Sequence, residues 1–467
     1  MKRTLLTLLA IGLASATLPA QTFSGEGTQT SPYQIKTKED LAALGEAVKG
    51  GNTYAGKHFL LVNNLTYTAT ETFTPIGYTG TAAPKKFAGV FDGGNRTISG
   101  LTMSGTYYVG LFSYVDATGV VENLTIDNCK LTSTNSNAGA AAAKSDGAVR
   151  NVKVTNLDYT TSNGGYKGGL VGFANAGVVE DCYVTGSIVS SGSVGGVVGQ
   201  NYANIRNCWS SATIVVQSEG SASAHIGGVA SITLTLKGDT ARISDSYFVG
   251  SIQGAPQNNC AGITATLNVG YVDRCWNGGY ITGSGYLGGI VATFDCGVMK
   301  DCYNAGTVVG ASANTGGIAG IFTNSNKKEL RMERCLSVGP LILSAVYRSE
   351  TCPFVGSGAE KGVITDCRYD RQMVCYGDVK DGMATADLCN GTPLPGFDTK
   401  TWEFTAGLYP RLKSTMAGDG AVLNATPIML GEGQTRVHVT KSFTVGTANG
   451  VEWEMRGGTA CSLSGAL

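Results

Sequence analysis
Tyr183, Trp209, Tyr247, Trp276 and Tyr303 fall at one phase of a repeating segment, in five consecutive copies. Side chains alternate along an extended chain, so these rings point outward if their immediate neighbours point in. Flat apolar rings on successive strands would form a strip roughly 20 Å long on which sugar rings or peptide side chains can rest. A plainer account is that stacked aromatics stabilise adjacent strands by ~0.2–1 kcal/mol a pair, or lie beneath a C-terminal segment. The plainer account is preferred, and the five residues are kept as the candidate ligand-binding strip.

The residue before the aromatic is Cys182, Cys208, Cys275 and Cys302, with Cys335 and Cys367 in the next two copies and Leu124, Val152 and Ser246 elsewhere. That exchange pattern suits a small interior residue, because free Cys behaves as a compact hydrophobe. We read the six as a structural core ladder. Strands stacked at ~4.8 Å fall within the Cα range that a disulfide permits, so pairwise oxidation stays open. Thirteen cysteines leave at least one thiol free.

Other chemistry has little material. His58, His225 and His438 are the only histidines and lie in unrelated segments, which leaves little for a Ser-His-Asp or Cys-His arrangement. HExxH, the GxSxG elbow and the P-loop are missing, as are the close CxxC pairs of a zinc site, so no metal or cofactor is expected. A polysaccharide hydrolase or lyase wants acids, or a Ca²⁺ cluster with a basic residue, converging on one face. Instead Glu122, Arg150, Glu180 and Arg206, then Asp273, Lys300 and Glu333, vary in sign along one position. This reads as a solvated charge ladder.

What positions all these residues is the repeat. Its second half reads VENL at 121–124, VRNV at 149–152, VEDC at 179–182, IRNC at 205–208 and ISDS at 243–246. It continues as VDRC at 272–275, MKDC at 299–302, MERC at 332–335 and ITDC at 364–367. The copies lie 26 to 38 residues apart, a period that signals a solenoid, propeller or array. An aliphatic residue followed by two polar ones cannot be a straight strand with one apolar face, so a corner falls at the polar pair. Gly-rich turns close each coil, with 67 glycines in 467 residues, and Val, Ile, Thr and Tyr dominate between turns. The expected fold is all-β, a right-handed parallel β-helix of about nine to ten coils, one repeat per coil.

The first half of the unit carries a resemblance. Gly169-Leu170-Val171-Gly172, Gly196-Val197-Val198-Gly199 and Gly317-Ile318-Ala319-Gly320 resemble the GLUG motif of secreted bacterial surface proteins. Gly110-Leu111, Gly228-Val229, Gly262-Ile263 and Gly289-Ile290 are weaker copies, and Ala138 to Ala143 is a degenerate one. Phe87 to Ile98 resembles the entry coil that precedes such arrays, and the likeness spans roughly residues 31–412. It implies an adhesin-like β-helical surface protein and brings no catalytic residues.

The ends read differently. Residues 1–20, with Lys2-Arg3, the apolar run Leu5 to Leu13 and small residues to Ala20, have the layout of a secretory signal peptide. No later run is long and apolar enough to span a membrane. Residues 21–108 supply a cap and entry coils, including a helix that starts at Thr37 with Asp40 in a capping-box position. Repeats fill 109–370, a closing segment 371–413 covers the last coil, and 414–467 reads as part of an immunoglobulin-like sandwich or a linker. With 34 basic and 34 acidic residues, attraction to nucleic acid is not expected. The best reading is an exported, non-enzymatic adhesion or display protein, extracellular, at the outer cell surface or periplasmic, with glycans or host or matrix proteins as partners. A carbohydrate-active β-helix enzyme and a purely structural stalk are the alternatives.

Overall fold
The computed structural model describes residues 23–415, apart from 163, 218–223, 236–240, 326, 344, 350 and 375–380. The expected signal peptide, the immunoglobulin-like tail and His438 therefore lie outside the described residues. Helix α1 (Lys38–Lys49) opens the fold. Thr37 accepts from the Asp40 amide at 3.2 Å, and the Asp40 carboxylate accepts from the amides of Lys36 and Thr37. Leu41, Leu44 and Val48 on one face of α1 are buried against the first coils.

Among the described residues nearly every strand pairing is parallel, as in a β-helix. One column runs through Tyr33, Phe59, Phe91, Val121, Val149, Val179, Ile205, Ile243, Val272, Met299, Met332 and Ile364, each in register with the next. That column gives about eleven turns rather than nine or ten. The difference arises because Tyr33–Ile35, His58–Leu61 and Val90–Ser99, which lack the repeat, already stack as rungs.

The corner at the polar pair has a specific cause. Its second residue is left-handed in ten coils, with φ from 45° to 57° at Asn95, Asn123, Asn151, Asp181, Asn207, Asp245, Arg274, Asp301, Arg334 and Asp366. Asn and Asp tolerate this conformation better than other non-glycine residues, which accounts for eight of the ten. The side chains also tie coil to coil. Asn151 Nδ2 donates to Asn123 Oδ1 at 2.9 Å and Asn207 Nδ2 to Asp181 Oδ1 at 2.7 Å. Where Arg takes the strained position, it grips the Asp of the coil before it in a two-pronged pair, Arg274 with Asp245 (2.6 and 2.8 Å) and Arg334 with Asp301 (2.8 and 2.9 Å). The position just before the corner carries charge pairs, with Glu180 bridging Arg150 and Arg206, and Asp273 paired with Arg242.

The cysteine column follows the corner. Cys182, Cys208, Cys275, Cys302, Cys335 and Cys367 are buried, and all the described cysteines are free thiols. Each of the six thiols donates across the corner to the carbonyl two residues earlier, from Cys182 to Glu180 at 3.0 Å to Cys367 to Thr365 at 3.5 Å. Ser246 makes the same bond to Ser244 at 2.7 Å. Its Oγ also accepts from the Cys208 amide at 3.1 Å, and the sulfurs of Cys182 and Cys367 accept from the amides of Val152 and Cys335 at 3.4 Å. The position therefore favours a small side chain that donates and accepts, which Cys and Ser share and Ala lacks. Burial pushes the thiols of Cys182, Cys275 and Cys335 well above their ordinary range and keeps them unreactive.

The Gly-rich half of each unit is a reversal too tight for side chains. A Cβ on Gly196 would overlap the carbonyl of Gly228 in the next coil, and one on Gly195 the carbonyl of Val198 in its own turn. Lys167 stands just before one such turn, in register with Ala138 and in a column that continues through buried Val194 and Ile226. It is 1% exposed, and burial lowers its amine to about 8.

Two outcomes are expected. Cys208→Ser should change stability by less than about 1 kcal/mol, whereas Cys208→Ala should cost about 1–3 kcal/mol by stranding buried polar groups, both read from denaturant unfolding. Because the unfolded chain holds the Lys167 proton more tightly, the Lys167 contribution to stability should grow as pH rises from about 8 to 10.5, against the opposite contribution of the buried thiols, which ionise more readily once unfolded. Lys167→Met should be more stable than the parent by on the order of 2–3 kcal/mol at neutral pH, with the difference shrinking as pH rises to 10.5, measured by unfolding both proteins across pH.

Candidate functional site
The five aromatic residues do form one outward column. Tyr183, Trp209, Tyr247, Trp276 and Tyr303 stack with centroids 4.4, 5.6, 5.0 and 5.5 Å apart and planes within 16° of parallel. Most of it is not open. Leu388, Leu394, Phe397, Trp402, Tyr409 and Leu412 pack over Tyr247, Trp276 and Tyr303, which are 4%, 0% and 3% exposed. The candidate strip is thus corrected to a covered hydrophobic seam, with only Tyr183 and Trp209 half-buried at its end. Apolar rings at strand spacing attract the chain's own Leu, Phe and Trp as readily as a ligand.

The covering segment is also broader than a lid on the last coil. Its strands Trp402–Glu403 and Arg411–Leu412 pair antiparallel. Trp402 Nε1 donates to Asp301 at 3.2 Å, and Tyr409 Oη and Thr385 Oγ1 donate to buried Asp370 at 2.5 and 2.7 Å. Ser414 reaches Asp245, several coils back.

The remaining polar clusters hold structure. Asp295 is 4% exposed and accepts from Thr323 Oγ1 and from the amide and hydroxyl of Ser325 at 2.6–2.7 Å, fixing that loop. His225 Nδ1 lies 2.8 Å from Thr266 Oγ1, and burial lowers its pKa. His58 lies in a separate strand near the N-terminal cap. Among the described residues no three His, Cys, Asp or Glu side chains are grouped to hold a metal ion.

A second outward column, beside the glycine reversals, is partly exposed, with Tyr114, Lys144 and Phe173 half-buried. Tyr114, Lys144, Phe173 and Gln200 stand in register on four successive coils. Lys86 Nζ lies 4.8 Å from the Tyr114 ring centroid, and Lys144 Nζ lies 4.4 Å from Tyr114 and 5.6 Å from Phe173. Tyr166 and Tyr202 flank Phe173 at 4.9 and 5.4 Å, and Tyr166 is 39% exposed. Gln200 Nε2 donates to Tyr202 Oη at 2.7 Å. Asp146 accepts from Tyr114 Oη and, at 2.8 Å, from Asn175 Nδ2. Lys86 pairs with Asp116 at 2.9 Å and Lys144 with Asp146 at 3.9 Å. Burial and the hydrogen bond to Asp146 both raise the Tyr114 phenol, so it stays protonated at neutral pH. Chemically the face offers ring surfaces, hydroxyls and amides, with its lysines already paired.

Reading the sequence for like residues at like positions misses this column, because its members are Tyr, Lys, Phe and Gln. The available signal was positional: each lies four residues after the first glycine of a motif copy, or after its Ala equivalent at Ala140.

The fold is a parallel β-helix that carries GLUG motifs. The GLUG motif model matches residues 163–189 and 190–215. Halomucin from Haloquadratum walsbyi is 34% identical over 160 residues, covering 32% of this chain and 2% of halomucin, so the chain spans a very small part of that relative. A crystal structure of a candidate immunoglobulin A1 protease from Bacteroides ovatus is 18% identical, covers 84% of this chain and 94% of that one, and superposes with a TM-score of 0.41. At that level it bears on no activity. Among the described residues no helix is long and apolar enough to cross a membrane.

Removing the indole that anchors the covering segment should open the seam. Trp402→Ala is expected to cost about 3–5 kcal/mol in unfolding free energy and to make Trp276 fluorescence accessible to a soluble quencher.

Proposed function
We propose that this chain is an exported, non-enzymatic, surface-associated repeat protein whose β-helix displays a binding face for glycans or extracellular proteins. The observation that carries the reading is the partly exposed face of Tyr114, Lys144, Phe173, Tyr166 and Tyr202, contributed by consecutive coils. Aromatic rings left at a rigid surface beside hydroxyls and amides are the usual material of a recognition site. The signal-like layout of residues 1–20 and the likeness to halomucin support a place outside the cell.

The non-enzymatic part rests on what the acids are doing. Glu180 is held between Arg150 and Arg206, Asp273 between Arg242 and Arg274, and Asp301 by Arg334 and Trp402. Burial pushes the Glu180 carboxyl up, but the hydrogen bonds from Arg206 and Arg150 hold it below the usual range. Such a group is a poor general acid at neutral pH.

The test is retention of the full chain on an array of glycans and matrix proteins. Phe173→Ala combined with Tyr166→Ala should lose retention, while Tyr280→Ala, a ring 41% exposed on another strand, should keep it. Release of new reducing ends or unsaturated sugars from any arrayed polysaccharide would overturn the non-enzymatic reading. No retention by the folded parent would leave a structural stalk.

A further inference from the structure
Resting on that reading, we infer that the ligand of the face beside the glycine reversals is a neutral, hydroxyl-rich oligosaccharide, not a polyanion. Lysines beside aromatic rings at first point to acidic sugars or sulfated chains. The geometry points elsewhere, because each lysine already has its counter-charge. Lys86 is bound to Asp116 at 2.9 Å, and Lys144 sits between the Tyr114 and Phe173 rings with Asp146 at 3.9 Å. Two cations are matched by two carboxylates within the face, so it presents no net field to draw an anion. An incoming sulfate or uronate would compete with the carboxylates of Asp116 and Asp146 for these lysines.

What the face has to spare suits hydroxyl groups. Tyr166, Phe173 and Tyr202 form an angled group of rings, 4.9 and 5.4 Å between neighbouring centroids, on which the apolar face of a pyranose can lie. Gln200, in register with Phe173 on the next coil, is 5% exposed, and its amide nitrogen donates to Tyr202 Oη. The side-chain carbonyl oxygen receives no hydrogen bond. A buried amide oxygen without a donor costs about 1–3 kcal/mol, so a sugar hydroxyl that reached it on binding would recover that cost. A hydroxyl both donates and accepts, so it serves whichever way the Gln200 amide is turned. In this arrangement Tyr166, Phe173 and Tyr202 give the stacking surface, and Gln200 reads a hydroxyl. The lysines hold the rings in place without contacting charge on the ligand.

The experiment is titration calorimetry of the full chain at low and high salt. The neutral probes are hexamers of glucose, mannose, xylose and N-acetylglucosamine, and the acidic ones are oligogalacturonate and chondroitin sulfate. Neutral probes should bind with a Kd that changes less than about twofold between low and high salt. Phe173→Ala should weaken that binding by about tenfold or more, and Gln200→Leu by a smaller factor that differs among the four sugars. Tyr280→Ala should leave it unchanged, with the melting transition of each variant matched to the parent. Binding confined to the acidic probes, with affinity falling steeply in salt, overturns the neutral-sugar inference while the display reading stands. So does retention on protein ligands alone. If neither glycans nor matrix proteins bind the folded chain, both readings fall.

Discussion
Each coil must turn the same corner at the same height, and the rest of the structure depends on that constraint. Parallel strands leave no freedom of register once one residue per coil is left-handed, because a slip would move the bend and turn the core side chains to solvent. The residues at the corner therefore stack whether or not they attract one another. Selection then acts on what a stacked column can be. Asn over Asn shares one hydrogen bond between side-chain amides, Arg over Asp shares two charge-assisted ones, and a thiol or hydroxyl just past the bend carries hydrogen bonds across it. A local conformational preference worth ~1–2 kcal/mol per residue is in this way converted into contacts along the whole axis.

The opposite side of each coil solves a different problem by removing atoms. The stacked glycines let backbone touch backbone, which makes the reversal narrow and throws the strand that follows it outward as a rigid edge. Side chains four residues past the first glycine of a motif copy, or past Ala140, follow that reversal directly, so Tyr114, Lys144 and Phe173 stand in register on successive paired strands. A preorganised face of this kind loses little conformational entropy on binding.

Much of this was legible in the residues. The phase of Val121, Val149, Val179 and their equivalents marks the coil, the exchange of Cys182 with Ser246 and Leu124 marks an inward position, and the polar pair marks a bend. The left-handed conformation itself was not legible, because Arg274 and Arg334 obscure a column that is otherwise Asn and Asp. The turn count came out low since the cap strands stack without sharing the motif. The aromatic column was legible as a stack, with cover by a C-terminal segment within the preferred account; how far that cover reaches was not, because nothing within Tyr247, Trp276 or Tyr303 tells where Trp402 and Leu412 will lie. The partly exposed face was invisible because its column has no common residue type, only a common geometry.

The returning C-terminal segment alters how the solenoid can come apart. In an open repeat array each unit touches only its neighbours, so the free end frays one unit at a time. Here Tyr409 is bound at the coil of Asp370, Trp402 at that of Asp301 and Ser414 at that of Asp245. Losing the terminal coil means lifting a strap that is also fastened well inside the array. The C-terminal third then behaves as a single mechanical unit, and a pull applied at that end is shared among several coils instead of peeling them in turn.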